Sequence, residues 1–299
     1  MDMTIDIQPT GEINWRNHER LGYERQTRGV YARLPDTAPM TQWQSQHVQF
    51  LAHTQAVMAA LQGRGVVLYG VTALQVLRVP LPARLQDWQT CHVLVPPGVR
   101  PPRRRGVVAH RTRTTPTAWA IRDGLPILHP VDHWLQLRGT DDELVEVADG
   151  LMRRQHPLVT MDGFRQRLDE LAGTPGIKTR RRVLNLVVPG TDSLYETRTR
   201  LIVVRAGLPT PVVNHVVTCR NGVTYLVDMA YVAEKVGLEY DGAGHVGNRT
   251  QMENDAQRRR DLQDEGWLII TVTAADMTQP TSFIRSLEEA LVLRRVAMS

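Results

Sequence analysis

Residues 212–241 read VVNHVVTCRNGVTYLVDMAYVAEKVGLEYD, and their pattern decides the fold of the last third of the chain. Val212 to Thr218 and Val223 to Ala230 have the apolar, β-branched character of strands. Asn221-Gly222 between them supplies the residues that a tight hairpin turn requires. A third strand is expected from Lys235 to Asp241. If Ala233 and Glu234 form a two-residue loop, Val232 pairs with Lys235 and Asp228 lies directly opposite Glu239. Opposed residues of an antiparallel pair share a face, with Cβ atoms about 4.5–5.5 Å apart. Side chains alternate along a strand, so Glu239 and Asp241 also share a face while Val236, Leu238 and Tyr240 take the other.

Three carboxylates on one patch repel one another, and a divalent cation turns that repulsion into binding. Carboxylate oxygens are hard ligands of the kind Mg²⁺ takes, usually alongside waters and a phosphate. The expectation is a metal site at Asp228, Glu239 and Asp241. An exposed hairpin whose charges face water is the competing reading, and a register slip of one residue would undo the alignment.

Outward from the hairpin, Ser193 to Ala206 reads as a helix stopped by Gly207 and Pro209. Ser193 and Glu196 form a capping-box pattern, so Glu196 is either a cap, a catalytic acid, or both. Downstream come a helix from Arg249 to about Glu265, a strand from Trp267 to Val272, and an amphipathic helix from Ser282 to Val296. His245, in the glycine loop after Asp241, is a candidate general acid, general base or phosphate contact. Gln251, Asp255, Arg258 and Leu262 share one helical face. Arg258 or Arg259 is expected to hold a phosphate with Asp255 orienting it, the alternative being a salt-bridged solvent face.

Upstream, residues 1–20 read as a polar leader, and Arg28-Gly29 as a turn before a short strand to Arg33. A helix is expected from Thr41 to Leu61, a brief apolar segment at Val66-Val67-Leu68, and a helix from Thr72 to Leu77. Cys91 to Val95 and Gly106 to His110 read as strands separated by a proline–arginine loop. Asp141 to Met152, Met161 to Leu171 and Lys178 to Val188 read as helices. The break at Pro189-Gly190 places the domain boundary between Gly173 and Gly190.

Charge is distributed unevenly. The chain carries a formal +5, and Lys178 and Lys235 are its only lysines. Between Asp87 and Asp123 there is no acid, but Arg100, Arg103, Arg104, Arg105, Arg111, Arg113 and Arg122 all fall there. Such a window favours polyanions, and arginine forks suit phosphates. A solvated basic loop, in a chain whose codons favour arginine, explains the same count. Cys91 and Cys219 are too few for a zinc or disulfide framework. The start lacks a signal peptide's apolar core, and no apolar run approaches the ~18–20 residues that span a bilayer. The expectation is therefore a cytoplasmic protein with reduced thiols and no membrane partner.

Taken together, Ser193-Leu194-Tyr195-Glu196, Gly207-Leu208-Pro209-Thr210-Pro211, Val227-Asp228-Met229, Glu239-Tyr240-Asp241-Gly242 with His245, and Asp255 through Arg258 to Gly266-Trp267 resemble one domain type. It is the Vsr-like (very-short-patch-repair-like) branch of the PD-(D/E)xK restriction-endonuclease-like superfamily, over roughly residues 190–280. The resemblance implies an α/β (α+β) fold with a mixed sheet flanked by helices. It also implies Mg²⁺ or Mn²⁺ as cofactor and DNA as substrate, with Asp228 as the metal-binding aspartate and Glu239 as the acid on the neighbouring strand. Glu196 matches an acidic position on the first helix, and His245 a histidine after the strand. Asp241 stands where the superfamily has lysine, leaving His245 or Arg258 to assist.

The first part, with Tyr69-Gly70-Val71-Thr72-Ala73-Leu74 and Cys91-His92-Val93-Leu94-Val95-Pro96, resembles the AbiEi-type antitoxin architecture. That implies a degenerate winged-helix-like segment over 1–40, a smaller α+β domain over 41–175, and the nuclease-like domain over 190–299. The expected function is a metal-dependent DNA endonuclease, with Asp228, Glu239, Asp241, Glu196 and His245 at the centre. Arg103, Arg104, Arg105, Arg111, Arg113, Arg258 and Arg259 would lie on the phosphates. The alternative is a non-catalytic, antitoxin-like DNA-binding regulator that keeps the fold. The pathway, DNA repair or phage defence, and a homodimeric state stay open.

Overall fold

The computed structural model describes residues 5–11, 13–14, 16–34, 41–242 and 249–298. The chain is a mixed α+β protein that divides into two compact units, 1–139 with 166–177, and 140–165 with 178–299. In the first unit, β1 (Asp6–Pro9), β2 (Glu24–Thr27) and β3 (Val30–Arg33) form an antiparallel sheet in the order β1-β3-β2. The stretch expected to be a leader thus contributes an edge strand, pairing Asp6 with Arg33 and Pro9 with Val30. Arg28 and Gly29 make the β2–β3 turn, where Gly29 takes φ +79°. Residues 16–22 are turns, so no helix of a winged-helix element forms there.

Helix α1 (Gln42–Ala60) packs on this sheet. Its start is fixed by a reciprocal cap: Thr41 Oγ1 accepts the Gln44 amide at 3.2 Å, and Gln44 Oε1 accepts the Thr41 amide at 2.8 Å. Then follow β4 (Val67–Leu68), α2 (Gly70–Val76), β5 (Cys91–Val95), β6 (Val107–Arg111), β7 (Ala120–Arg122), β8 (Leu125–Ile127) and α3 (Pro130–Gln136). The five strands form a mixed sheet in the order β6-β5-β4-β8-β7. Strands β5 and β6 run parallel, so the proline–arginine loop is a crossover and not a hairpin. The short β7–β8 hairpin and α3 have too few residues to announce themselves by periodicity.

The second unit takes in α4 (Asp141–Leu151) and the first half of α5 (Met161–Glu170), whose second half returns to the first unit. From residue 178 the second unit continues with α6 (Ile177–Leu184), α7 (Leu194–Arg205), β9 (Val212–Thr218), β10 (Thr224–Tyr231), β11 (Val236–Asp241), α8 (Arg249–Asp264), β12 (Leu268–Thr273), α9 (Ala274–Thr278) and α10 (Thr281–Met298). Helix α4 belongs here because two acid–arginine pairs bind it to α7. Glu146 accepts a fork from Arg198 at 2.8 and 2.9 Å, and Asp149 accepts Arg200 at 2.7 Å. Neither pair is visible as a periodicity; the chain's last crossing between the units, at Ile177–Lys178, lies within the 173–190 window of the sequence reading.

The sheet of this unit has the order β12-β11-β10-β9, antiparallel except for the parallel β11–β12 pair that α8 connects. Its turn at Asn221-Gly222 forms as its residues dictate: Gly222 takes φ +82°, and Asn221 Oδ1 accepts the Val223 amide at 3.0 Å. One face buries Met229, Tyr231, Val236 and Leu238 with Val203 of α7 and Phe283 and Leu287 of α10. The other buries Val217, Val227 and Ala230 with Leu262 of α8 and Trp267. The sheet is therefore covered on both faces.

Candidate active site

The β10–β11 register pairs Met229 with Leu238, Ala230 with Gly237 and Tyr231 with Val236. Continued by one step, it sets Asp228 opposite Glu239, as the loop count predicts. Beyond that step the antiparallel pair opens. Asp228 turns one carboxylate oxygen back to accept the Tyr240 amide at 3.0 Å. On the other side of β10 the pairing skips from Val227–His215 to Met229–Val213. Asn214, at the skipped position, takes φ +49° and donates its amide to the Gly190 carbonyl at 2.6 Å. The interruption makes room for polar groups in the middle of a sheet.

Asp228 and Glu239 lie there, and the charge of Asp228 also reaches Glu196. Glu196, in the first turn of α7, is buried, with 6% exposure. Its Oε2 accepts the Asp192 amide at 2.9 Å and the Asn214 side-chain amide at 3.3 Å. The capping box is thus half formed: Ser193 Oγ caps the Glu196 amide, but Glu196 reaches the amide one residue before Ser193. Burial raises the Glu196 carboxyl above its ordinary range, and the charge of Asp228 adds to the rise. Burial likewise raises Asp228, against the pull of the Tyr240 amide and Arg258. Glu239 is also raised, first by burial and further by Asp228, with Arg258 and Arg259 opposing. The charge of Asp228 reaches both glutamates, and burial makes each of the three resist ionisation in its place.

Arg258 comes in from α8 on the far face. It donates to Glu239 Oε1 and, at 2.5 Å, to the Leu226 carbonyl. Its guanidinium stands 5.7 Å from the Tyr225 ring centre, and Tyr225 is held by its hydroxyl on Asp261 at 2.6 Å. Arg258 is therefore turned onto the acids, and its partner is Glu239 where the sequence suggested Asp255. That suggestion rested on helical spacing, which cannot register a carboxylate arriving from a strand. The Arg258 Nε is buried with no hydrogen-bond partner among the described residues.

Asp241 shares the parity of Glu239 but lies at the exposed end of β11, opposite Thr273. It is not gathered with the other acids. Among the described residues no three His, Cys, Asp or Glu side chains already stand as a metal cage, so the expected trio of Asp228, Glu239 and Asp241 is not preassembled. His245 lies outside the described residues. Lys235, the nearest lysine in sequence, is turned away: its Nζ donates to the Glu265 carbonyl at 2.8 Å, at the end of α8.

In the first unit, Arg103, Arg104 and Arg105 line a cleft, whereas Arg111 closes β6 opposite Val95 and Arg113 is exposed in the loop after it. Arg25, Arg28 and His53 line the same cleft and escaped the sequence reading. The signal was there in part, since Arg25 and Arg28 flank the glycine turn of the β2–β3 hairpin. Their meeting with a loop some 75 positions on required the tertiary fold, as in the Arg104 bond to the Arg28 carbonyl across 76 positions. No described helix is long and apolar enough to cross a membrane.

No family model matches the chain. Two uncharacterized proteins of Mycobacterium tuberculosis, MT2308 of strain CDC 1551 and Rv2248 of strain H37Rv, are each 27% identical over 144 residues. That match covers 44% of this chain and 53% of theirs, so the chain spans about half the length of the curated relatives it matches. A solved structure, the RV2827C protein of the same organism, aligns over 68% of this chain and 74% of its own at 17% identity and a TM-score of 0.36.

Proposed function

We propose that the second unit is a metal-dependent endonuclease domain acting on DNA, with Asp228 and Glu239 as its centre. The observation that carries the reading is their placement. Two carboxylates oppose each other where the sheet pairing opens, both raised by burial, and Asp228 also raises a third buried acid, Glu196. Such perturbed groups collect at functional sites, since a purely structural sheet gains nothing from them.

The donor set fits Mg²⁺ or Mn²⁺, which accept one or two protein carboxylates and complete their shell from water and phosphate. When bound, such a cation acidifies a water and neutralises charge on the phosphate oxygens. Asp228 and Glu239 would hold it, with the Tyr240 amide occupying one Asp228 oxygen. Arg258 pairs with Glu239 and is the cation nearest this centre that could meet phosphate oxygens, the geometry that guanidinium suits best. Glu196 positions Asn214 and the α7 start, and the charge of Asp228 adds to its raised state.

A second reading has its own support. The Arg258–Glu239 ion pair already satisfies one acid, and Asp241 replaces the lysine that the resemblance leads one to expect. Both fit a DNA-binding regulator that keeps a nuclease fold without its chemistry. One experiment separates the two. Purified protein is incubated with supercoiled and linear DNA, with and without Mg²⁺ or Mn²⁺, beside Asp228→Ala and Glu239→Ala. Metal-dependent cleavage lost in both variants is the expected result. Binding without cleavage selects the regulator, and cleavage that survives both substitutions places the chemistry elsewhere.

A further inference from the structure

The first unit contains a cleft of about 1120 Å³ lined by Arg25, Gln26, Thr27 and Arg28 of the β2–β3 hairpin, His53 of α1, Gln89 and Thr90 before β5, and Arg103 to Gly106 before β6. Five of the lining residues are arginines: Arg25, Arg28, Arg103, Arg104 and Arg105. No acid occurs among the described lining residues, and among the described residues no carboxylate forms an ion pair with any of the five. The walls are tied together, since Arg104 Nη1 donates to the Arg28 carbonyl at 2.9 Å. His53 closes one side, with Nδ1 on the Gln26 carbonyl at 3.2 Å and Nε2 buried without a partner among the described residues. Gly106 leaves room for that ring, because a Cβ there would stand 3.2 Å from His53 Nε2.

Charge decides what such a cleft takes. Five like charges in one concavity repel, and concave walls focus their field. A single phosphate leaves most of that charge unbalanced, so the ligand is a chain of phosphates. Size agrees: the volume exceeds the roughly 300–1,000 Å³ of small-molecule pockets, and the described lining residues include no aliphatic hydrophobe of the kind such pockets use. The lining also lacks Trp, Tyr and Phe among its described residues, so unstacked bases find no platform. A strand whose bases stay stacked in a duplex needs none.

We infer that this cleft grips one strand of duplex DNA by successive phosphates, independent of sequence, with Arg25 and Arg28 on one wall and Arg103, Arg104 and Arg105 on the other. The inference deepens the nucleic-acid part of the reading above and requires nothing of the carboxylate centre. Phosphate contacts carry affinity and salt dependence but little base information.

The test uses the full chain in EDTA, where metal-dependent cleavage cannot contribute. Fluorescence anisotropy of a labelled 20-base-pair duplex is followed from 50 to 300 mM salt for the wild type and Arg25→Ala/Arg28→Ala. A charge-matched control, Arg165→Ala/Arg285→Ala, removes two arginines of the second unit. The cleft variant is expected to bind at least 10-fold more weakly, with a salt slope shallower by about 2, one counterion for each lost contact. The control keeps the wild-type slope. Circular dichroism confirms that the variants are folded. An unchanged slope in the folded cleft variant overturns the inference. So does tighter binding of a single-stranded 20-mer than of the duplex, or full displacement of the duplex by equimolar inorganic triphosphate. Loss of cleavage in the carboxylate variants with this binding intact leaves the cleft standing, so the two readings fail separately.

Discussion

Asp149–Arg200 and Glu239–Arg258 are both acid–arginine pairs of the second unit, and they are built for opposite ends. Asp149 and Arg200 are 0% and 2% exposed, and both Asp149 oxygens are filled by the Val188 amide, the Thr197 hydroxyl and Arg200. Arg200 also donates to the Leu186 carbonyl at 2.8 Å. Glu239 and Arg258 keep 25% and 31% exposure and stand beside a second raised carboxylate, Asp228. The first pair is a lock between α4, α7 and the 186–188 segment. The second can open, because water reaches it and a cation could replace the arginine.

The largest expected effect breaks the lock. Asp149→Ala leaves a buried guanidinium without its countercharge and should cost about 3–5 kcal/mol in denaturant unfolding. Should that variant fail to express, Asp149→Asn, which keeps the shape and one acceptor oxygen for the Val188 amide, provides the measurable case. A loss below about 1 kcal/mol in both would show that the pair is not what binds α4 to α7.

Glu239→Gln tests the pair that can open. It should lower metal-dependent cleavage at least 100-fold, while moving unfolding free energy by no more than about 1 kcal/mol, the scale of a partly exposed ion pair. A destabilisation equal to that of Asp149→Ala would erase the distinction between the two pairs.

pH sharpens the same contrast. Burial holds Asp228 and Glu239 above their ordinary carboxylate range, so the folded chain takes up these protons at higher pH than the unfolded chain does. Their contribution to metal-free stability therefore rises as pH falls through the folded values, and levels off near the unfolded values of about 4. Asp228→Asn should flatten that rise relative to the wild type in thermal unfolding. Mg²⁺ competes with those protons, so its stabilisation should be larger at pH 8 than at pH 5. Equal Mg²⁺ shifts at both pH values would remove these carboxylates from the metal site.

Much of this was legible in residues 212–241, for a physical reason. Strand alternation and the Asn221-Gly222 turn are local, and the loop between Val232 and Lys235 propagates its register to Asp228 and Glu239 without further information. Helix limits at Thr41 and Ser193 were legible because caps are encoded within four residues. What stayed hidden depends on chain crossings. The Glu239–Arg258 pair spans a crossover helix, Asp149 meets Arg200 across 51 positions, and Arg28 meets Arg104 across 76. Asp241 shows what parity leaves out: it sets the face of a residue but not its burial, and Asp241 stands exposed at the end of β11.

Lys235 gives the smallest effect and a pointed one. A lysine two positions after Glu239 is what the resemblance leads one to expect, and the chain has Asp241 there. Lys235 lies four positions before Glu239 at φ +52°, in the turn that sets the register, and its ammonium donates to the Glu265 carbonyl. A cation at a helix C-terminus is worth about 0.3–1 kcal/mol. Lys235→Met should therefore lower stability within that range and leave cleavage and its metal dependence unchanged. If a stable Lys235→Met protein loses cleavage, the ammonium must leave α8 for the carboxylates. The opening of the Glu239–Arg258 pair would then be half of a larger rearrangement of the β10–β11 turn.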